Sequence, residues 1–462
     1  MVPPPSTEAS IETSPASSTS TASRAGSGAA GLGVVDARAS RKRLRQFMER
    51  AFPLTRSITG NGVRATLDLI DAELDDTPLL RHEVPTGTPV LDWTVPNEWN
   101  LTRATLDGPL GRVISSDDNN LHVVSYSTPV QIELSLDELK PHIYTLPDQP
   151  DVIPYRTTYY RETWGLCMTQ RQLDSLPSGN YRVTIDATLE PGHLTYGEAV
   201  LPGMTDEEIL LTTHICHPSM ANDNLSGIAA LTEVVRRLAT HGTLRHSLRV
   251  LFIPGTIGSI TWLERNRKSL DRIRAGLVLA GAGDRSPATY KRSRRGSSRI
   301  DLIMKRLVGD AGGSVIDYYP YGYDERQFCS PGFDLPVGRL SRSIHGTYPE
   351  YHTSADNLDF VDDDTLADTV ELVVAAVLAL DRETRYVNTQ PHGEPQLGRR
   401  GLYGAVGGAI NTKSTEMALL WLLAYSDGEH SVDDIARLSK LPMDSLTTAA
   451  EALVAAELLS EA

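Results

Sequence analysis

The feature that most constrains this chain is a rhythm between residues 209 and 280. Three short apolar runs, at 209–214, 248–253 and 276–280, are separated by stretches with a different period. Between the first two, Ile228, Leu231, Val234, Val235 and Leu238 recur at the spacing that lines one face of a helix. The runs themselves lack strict alternation, so they read as strands buried on both faces. Strand, helix, strand repetition of that kind implies an α/β sheet covered by helices, with ligands received just beyond the carboxyl ends of its strands.

The first run ends at His214 and continues as Ile215-Cys216-His217-Pro218-Ser219-Met220-Ala221-Asn222-Asp223-Asn224-Leu225-Ser226-Gly227 before the amphipathic helix begins. Two imidazoles and a carboxylate thus share one loop at a strand end. A lone histidine is more often a hydrogen-bonded structural residue, and Asp223 could serve as a helix cap near Ser226. A mixed nitrogen and oxygen set converging from a rigid edge is instead what zinc prefers. A third piece, Pro349-Glu350-Tyr351-His352-Thr353-Ser354-Ala355-Asp356-Asn357, follows a strand-like run at 335–340, so His352 also stands just past a strand.

Around this centre the chain divides by composition. Residues 1–36 are mostly Ala, Ser, Thr, Gly and Pro, a disordered tail by expectation. Residues 37–390 are read as the α/β domain, opening with two helices and interrupted by a β-rich insertion at about 84–150, where alternating runs such as Val90-Leu91-Asp92-Trp93-Thr94-Val95 sit between turn residues. A Pro/Gly-rich linker at 391–411 leads to a unit at 412–462 with three helical patterns, a winged-helix-like shape. From Ser414 onward two basic residues, Arg437 and Lys440, face nine acidic ones, and the whole chain carries −15, so nucleic acid is not an expected partner. No run approaches the roughly 18 apolar residues of a membrane span, and the three cysteines, Cys167, Cys216 and Cys329, suit free thiols in a reducing cytoplasm. Self-association through the insertion or the terminal unit is expected, with a small molecule or peptide as substrate.

The segment Asn222-Asp223-Asn224-Leu225-Ser226-Gly227-Ile228-Ala229-Ala230-Leu231 resembles the metal-binding loop and helix of the zinc aminopeptidases. In that family a strand-terminal His, the loop Asp and a late His are ligands, which implies those roles for His214, Asp223 and His352. About residues 40–385 resemble more closely a bacterial family with an aminopeptidase-like domain, an inserted β-rich domain and a C-terminal winged helix. The shared motifs are His214-Ile215-Cys216-His217-Pro218-Ser219, Pro254-Gly255-Thr256-Ile257-Gly258-Ser259, Asp324-Glu325-Arg326-Gln327-Phe328-Cys329-Ser330-Pro331-Gly332 and Tyr351-His352-Thr353-Ser354. The resemblance implies an aminopeptidase-like three-layer αβα sheet and a zinc-dependent amide or peptide hydrolase.

One departure bears on mechanism. The two-zinc aminopeptidases end the strand corresponding to Phe252-Ile253-Pro254 in paired glutamates, whereas this chain has Gly255-Thr256. A single zinc is therefore expected, held by Asp223, His352 and one of His214 or His217, and His217 could instead orient a ligand. Candidate bases are Glu325 and Glu350, which could equally be surface or ion-paired carboxylates. Asp356 or Asp359 could orient a ligand. The basic run Lys291-Arg292-Ser293-Arg294-Arg295 reads as a solvated loop or a carboxylate clamp. The same departure supports a rival reading, a catalytically inactive binding or assembly protein.

Overall fold

The computed structural model describes residues 37–402 and 412–461. The disordered-tail expectation for 1–36 lies outside the described residues, as do residues 403–411 of the linker expected at 391–411.

The α/β rhythm becomes an eight-stranded mixed sheet. Its strands are β1 (Leu79–Pro85), β2 (His193–Leu201), β3 (Glu208–His214), β4 (Ser247–Ile253), β5 (Ile273–Leu279), β6 (Thr289–Lys291), β7 (Ser314–Ile316) and β8 (Val337–Ser341), in the order β1-β2-β4-β3-β5-β8-β6-β7. The four central strands β4, β3, β5 and β8 run parallel, and antiparallel pairings join the flanks. Every residue of β3 is buried, as a run without alternation requires. The helices are α1 (Ala37–Ala51), α2 (Asn61–Asp71), α3 (Gly227–Ala239), α4 (Ile257–Arg265), α5 (Arg299–Asp310) and α6 (Asp363–Asp381). Of these, α1, α3 and α5 pack against α6. Helix α3 buries the stripe read from the sequence, with Ile228, Leu231, Val234, Val235 and Leu238 inaccessible.

The insertion between β1 and β2 is longer than its composition suggests. Its four-stranded antiparallel sheet uses Glu98–Gly108, Gly111–Ser115, Val130–Ser135 and Asn180–Glu190. The last of these lies some way past the expected boundary near residue 150. It pairs with two neighbours at once and buries Tyr181, Val183, Ile185 and Ala187 on one face, so the insertion cannot close without it.

The C-terminal unit likewise starts earlier than the linker implied. Strand Arg385–Asn388 lies between Asp427–Ser431 and Leu459–Glu461, so residues before the Pro/Gly-rich stretch belong to the same small sheet as the wing. Three helices, Thr412–Tyr425, Val432–Ser439 and Met443–Ala455, close over Leu419, Leu422, Ile435, Leu446 and Leu453. Arg299 of α5 joins this unit to the sheet domain, donating to Glu383, Asp434 and the Ser431 hydroxyl. No described helix is long and apolar enough to cross a membrane.

Candidate metal centre

Strand β3 delivers His214 to the carboxyl edge of the sheet, where the Thr213 hydroxyl donates to the Leu279 carbonyl at 2.8 Å. The chain then turns through 215–226 into α3. Gly227 permits that turn, because a Cβ there would stand 2.5 Å from Asn224 Oδ1 and 2.7 Å from Thr213 Oγ1. Asn224 uses the space, its amide donating to Thr213 Oγ1 and the His214 carbonyl and lying 3.3 Å from His214 Nδ1. Asp356, itself buried, accepts from the backbone N–H groups of Asn222 and Asp223, which fixes the direction of the Asp223 side chain. Of the two aspartates offered for that role, Asp359 is instead exposed.

Asp223 is fully buried and stands at the middle of three imidazoles. Its Oδ1 lies 3.0 Å from His214 Nε2 and 3.9 Å from His217 Nδ1, and its Oδ2 lies 3.0 Å from His352 Nε2. Ligand-type atoms of His214, His217 and Asp223 all fall within 4.8 Å of one another. Three of the converging atoms, His217 Nδ1, Asp223 Oδ2 and His352 Nε2, are buried without a hydrogen bond of acceptable geometry. Burial alone would push the Asp223 carboxyl up, but His217 and His214 beside it hold it well below the usual range. Burial drives His217 down to about 3, against the opposing pull of Asp223, so its ring is neutral and free to ligate at ordinary pH.

Aromatic rings wall the cluster. Tyr155 meets His217 and His352 edge-on at 5.2 and 5.1 Å, Tyr323 stacks on His214 at 4.9 Å, and Tyr351 stacks on His352 at 3.9 Å. The Tyr323 hydroxyl also donates to Asp223 Oδ1 at 3.3 Å. His352 adopts a left-handed φ of 57°, and a loop of the insertion, between its strands Val130–Ser135 and Asn180–Glu190, secures it there. Tyr155 N–H donates to the His352 carbonyl at 2.8 Å, and Ser354 N–H to the Ile153 carbonyl at 2.8 Å.

The structure thus brings together His214, His217, Asp223 and His352. The proposed bases lie apart from them. Glu325 is buried against Lys291, whose ammonium donates at 2.9 Å, with Arg339 3.6 Å away. Lys291 is accordingly no part of a solvated loop, because its side chain is fully enclosed, whereas Arg292, Arg294 and Arg295 pair with Asp317 and Asp334. Glu350 lines an outer cleft beside Tyr348 and Phe360. A carboxylate that sequence reasoning passed over is Asp324, which is buried and accepts the Thr256 N–H at 2.7 Å. It therefore sits against the Gly255-Thr256 turn, next to His214, whose Cβ would be 3.7 Å from a Cβ at Gly255. Burial raises its pKa, with His214 opposing. Its one sequence signal was position, immediately before Glu325 in a motif already singled out. Burial lifts the Cys216 thiol to about 12, which opposes thiolate chemistry.

Comparison with known proteins bears on the fold and the family. A protein of Clostridium acetobutylicum, named for polysaccharide biosynthesis and an aminopeptidase-like domain, is 47% identical over 416 residues, covering 89% of this chain and 95% of its own length. A crystal structure of a protein from the same organism, described as a peptidase, superimposes with a TM-score of 0.79 at 44% identity, over 92% of this chain and 98% of that one. A zinc aminopeptidase from Bacillus subtilis shares the fold at 15% identity, with a TM-score of 0.55 over 74% of this chain and 95% of that one. Residues 384–461 match a winged helix-turn-helix, in agreement with the strand that begins at Arg385. Residues 45–383 match the family described as Domain of unknown function (DUF4910), and the chain belongs to that family, on an aminopeptidase-like fold.

Proposed function

We propose that this chain is a metal-dependent hydrolase that cleaves an amide bond in a small substrate, with one zinc held by Asp223, His352 and His214 or His217. The observation that carries the reading is the convergence of three buried ligand atoms, on His217, Asp223 and His352, that satisfy no hydrogen bond. A buried carboxylate among imidazoles is a donor set that suits a divalent cation. Such an ion supplies a Lewis acid that polarises an amide carbonyl and brings water toward a pKa of about 7.

The chain's own residues do the rest. Asp356 and Asn224 hold the loop that carries Asp223 and His214, and Tyr155 braces His217 and His352 from the other side. For proton transfer we favour Asp324 over the two glutamates. Burial raises its pKa and it sits against the Gly255-Thr256 turn beside His214, whereas Glu325 is tied to Lys291. The name of the Clostridium relative, which refers to polysaccharide biosynthesis, supports a substrate from that chemistry. The rival reading, an inactive binding or assembly protein, draws on Gly255 and Thr256, neither of which can take a proton from water.

The test is turnover of a panel of N-acyl amides and aminoacyl amides by the zinc-loaded protein. The expected result is hydrolysis of at least one, lost on chelation, restored by zinc and absent from His352→Ala. Turnover that survives both chelation and His352→Ala would sink the reading, and a full panel without turnover would favour the binding protein.

A further inference from the structure

Beside the histidine cluster lies a second feature that the hydrolase reading does not use. It is a cleft of about 420 Å3 lined by Ser286, Ser343, Tyr348, Glu350, Asp359 and Phe360, with Asp284 and Arg285 at its margin. Its size falls in the range of about 300 to 1,000 Å3 typical of small-molecule pockets. It adjoins the metal centre through both ligand loops. Asp284 Oδ2 accepts from the Asn222 amide at 2.9 Å, one residue before Asp223, and the Glu350 carbonyl accepts from the Thr353 N–H and hydroxyl, which flank His352. The rings continue the connection, with Tyr348 5.6 Å from Tyr351, which stacks on His352.

The lining has a definite chemistry. Tyr348 and Phe360 are nearly parallel, 18° apart with centroids at 5.7 Å, and form an aromatic wall. Asp284 is saturated by Ser286, Ser343 and Asn222, so it organises the two serines. The carboxylates of Glu350 and Asp359, in contrast, make no hydrogen bond or ion pair among the described residues. Arg285 is occupied by Asp362 at 3.2 Å. Three carboxylates against one already paired guanidinium repel an anionic ligand. The Ser343 hydroxyl donates to Asp284 and the Ser286 hydroxyl to Ser343, so the lining offers mainly acceptors and a flat apolar face, which suit a neutral polyhydroxylated ring whose own hydroxyls donate.

We propose that this cleft binds the sugar ring of a neutral N-acylated amino sugar and presents its amide to the histidine and aspartate centre. The amide part rests on the hydrolase reading; the sugar part rests on the cleft alone. Carbon–hydrogen faces of the ring pack on Phe360 and Tyr348, and ring hydroxyls donate to Glu350 and Asp359.

The test measures equilibrium binding of N-acetyl-D-glucosamine and N-acetyl-D-galactosamine to the full-length, zinc-loaded chain by titration calorimetry, with released acetate measured in the same samples. Wild type is compared with Phe360→Ala and Asp359→Asn, and D-glucuronate and calcium serve as charged probes. The expected result is binding of at least one amino sugar, weakened about two- to tenfold in Phe360→Ala, the loss that one aromatic contact predicts, with D-glucuronate bound more weakly. No sugar binding, sugar binding unchanged in both variants, or calcium binding lost in Asp359→Asn without any sugar binding would each overturn the proposal. Sugar binding that needs Phe360 with no acetate released would keep the cleft and count against amide hydrolysis. Hydrolysis of a sugar-free amide without sugar binding would do the reverse.

Discussion

Two buried carboxylates stand on either side of Tyr323, and their surroundings differ in one respect. Glu325 is enclosed with Lys291 and Arg339, so it has cations of its own. Asp223 is enclosed with His214, His217 and His352, and burial keeps the His217 ring neutral. Tyr323 touches both clusters, its hydroxyl on Asp223 and its ring under the Arg339 guanidinium at 5.6 Å. A carboxylate removed from water needs a compensating charge. One cluster supplies that charge from within the chain; in the other a bound divalent cation would supply it. The contrast teaches that burial of acidic groups does not by itself mark a metal site, and that the partners decide.

The sharpest way to break the comparison is Glu325→Ala, which strands Lys291 and Arg339 without a counter-charge. Stability should fall by about 3–5 kcal/mol in urea unfolding, with metal content unchanged. A loss of metal in that variant would merge the two clusters into one site.

Acid should act next most strongly, on the histidine side. His217 is held at about 3 when folded, against about 6.5 when unfolded, so protonation favours the unfolded chain. Its contribution to stability is complete above pH 6.5 and is lost as pH falls toward 3. The depressed Asp223 carboxyl adds a further loss below about pH 4. Metal-free protein should lose on the order of a few kcal/mol between pH 7 and 4, and His217→Gln should flatten that slope. An equal slope in the variant would contradict the assignment of a neutral, buried ring.

The smallest effect concerns the brace on the histidines. Tyr155→Ala should weaken zinc binding about 10- to 100-fold, the usual cost of losing a residue that orients ligands, while Tyr155→Phe retains the ring contacts and most of the affinity. Chelator competition reads both. Equal losses in the two variants would put the effect in the hydroxyl, which pairs with Tyr159 at 2.9 Å, and not in the ring.

The sequence made these regions unequally legible. His214, His217 and Asp223 share one loop between a strand and a helix, so spacing alone could place them together, and His352 was added by its place just past a strand-like run together with the resemblance. The partnership of Lys291 with Glu325 could not be read, because it depends on β6 lying beside β8 in the sheet, and a basic run gives no sign that its first residue points inward. Asp324 escaped for a related reason. It reaches the Gly255-Thr256 turn through tertiary packing, and the short helix that follows it, Glu325–Phe328, sends its neighbour to the opposite cluster. The fold was clearest where burial is two-sided and least clear at its borders. Strand Asn180–Glu190 lies well beyond residue 150, where the insertion was expected to end, and Arg385–Asn388 precedes a Pro/Gly-rich stretch that resembled a linker. Both are defined by the strands they pair with, and those partners are distant in sequence.

The most direct measurement is the zinc content of the purified wild-type chain beside Asp223→Ala and Glu325→Ala. The account predicts about one ion per chain in wild type and in Glu325→Ala, and none in Asp223→Ala. A wild type without metal, or an Asp223→Ala protein that retains it, would contradict the claim that the cation missing from the histidine cluster is a bound metal.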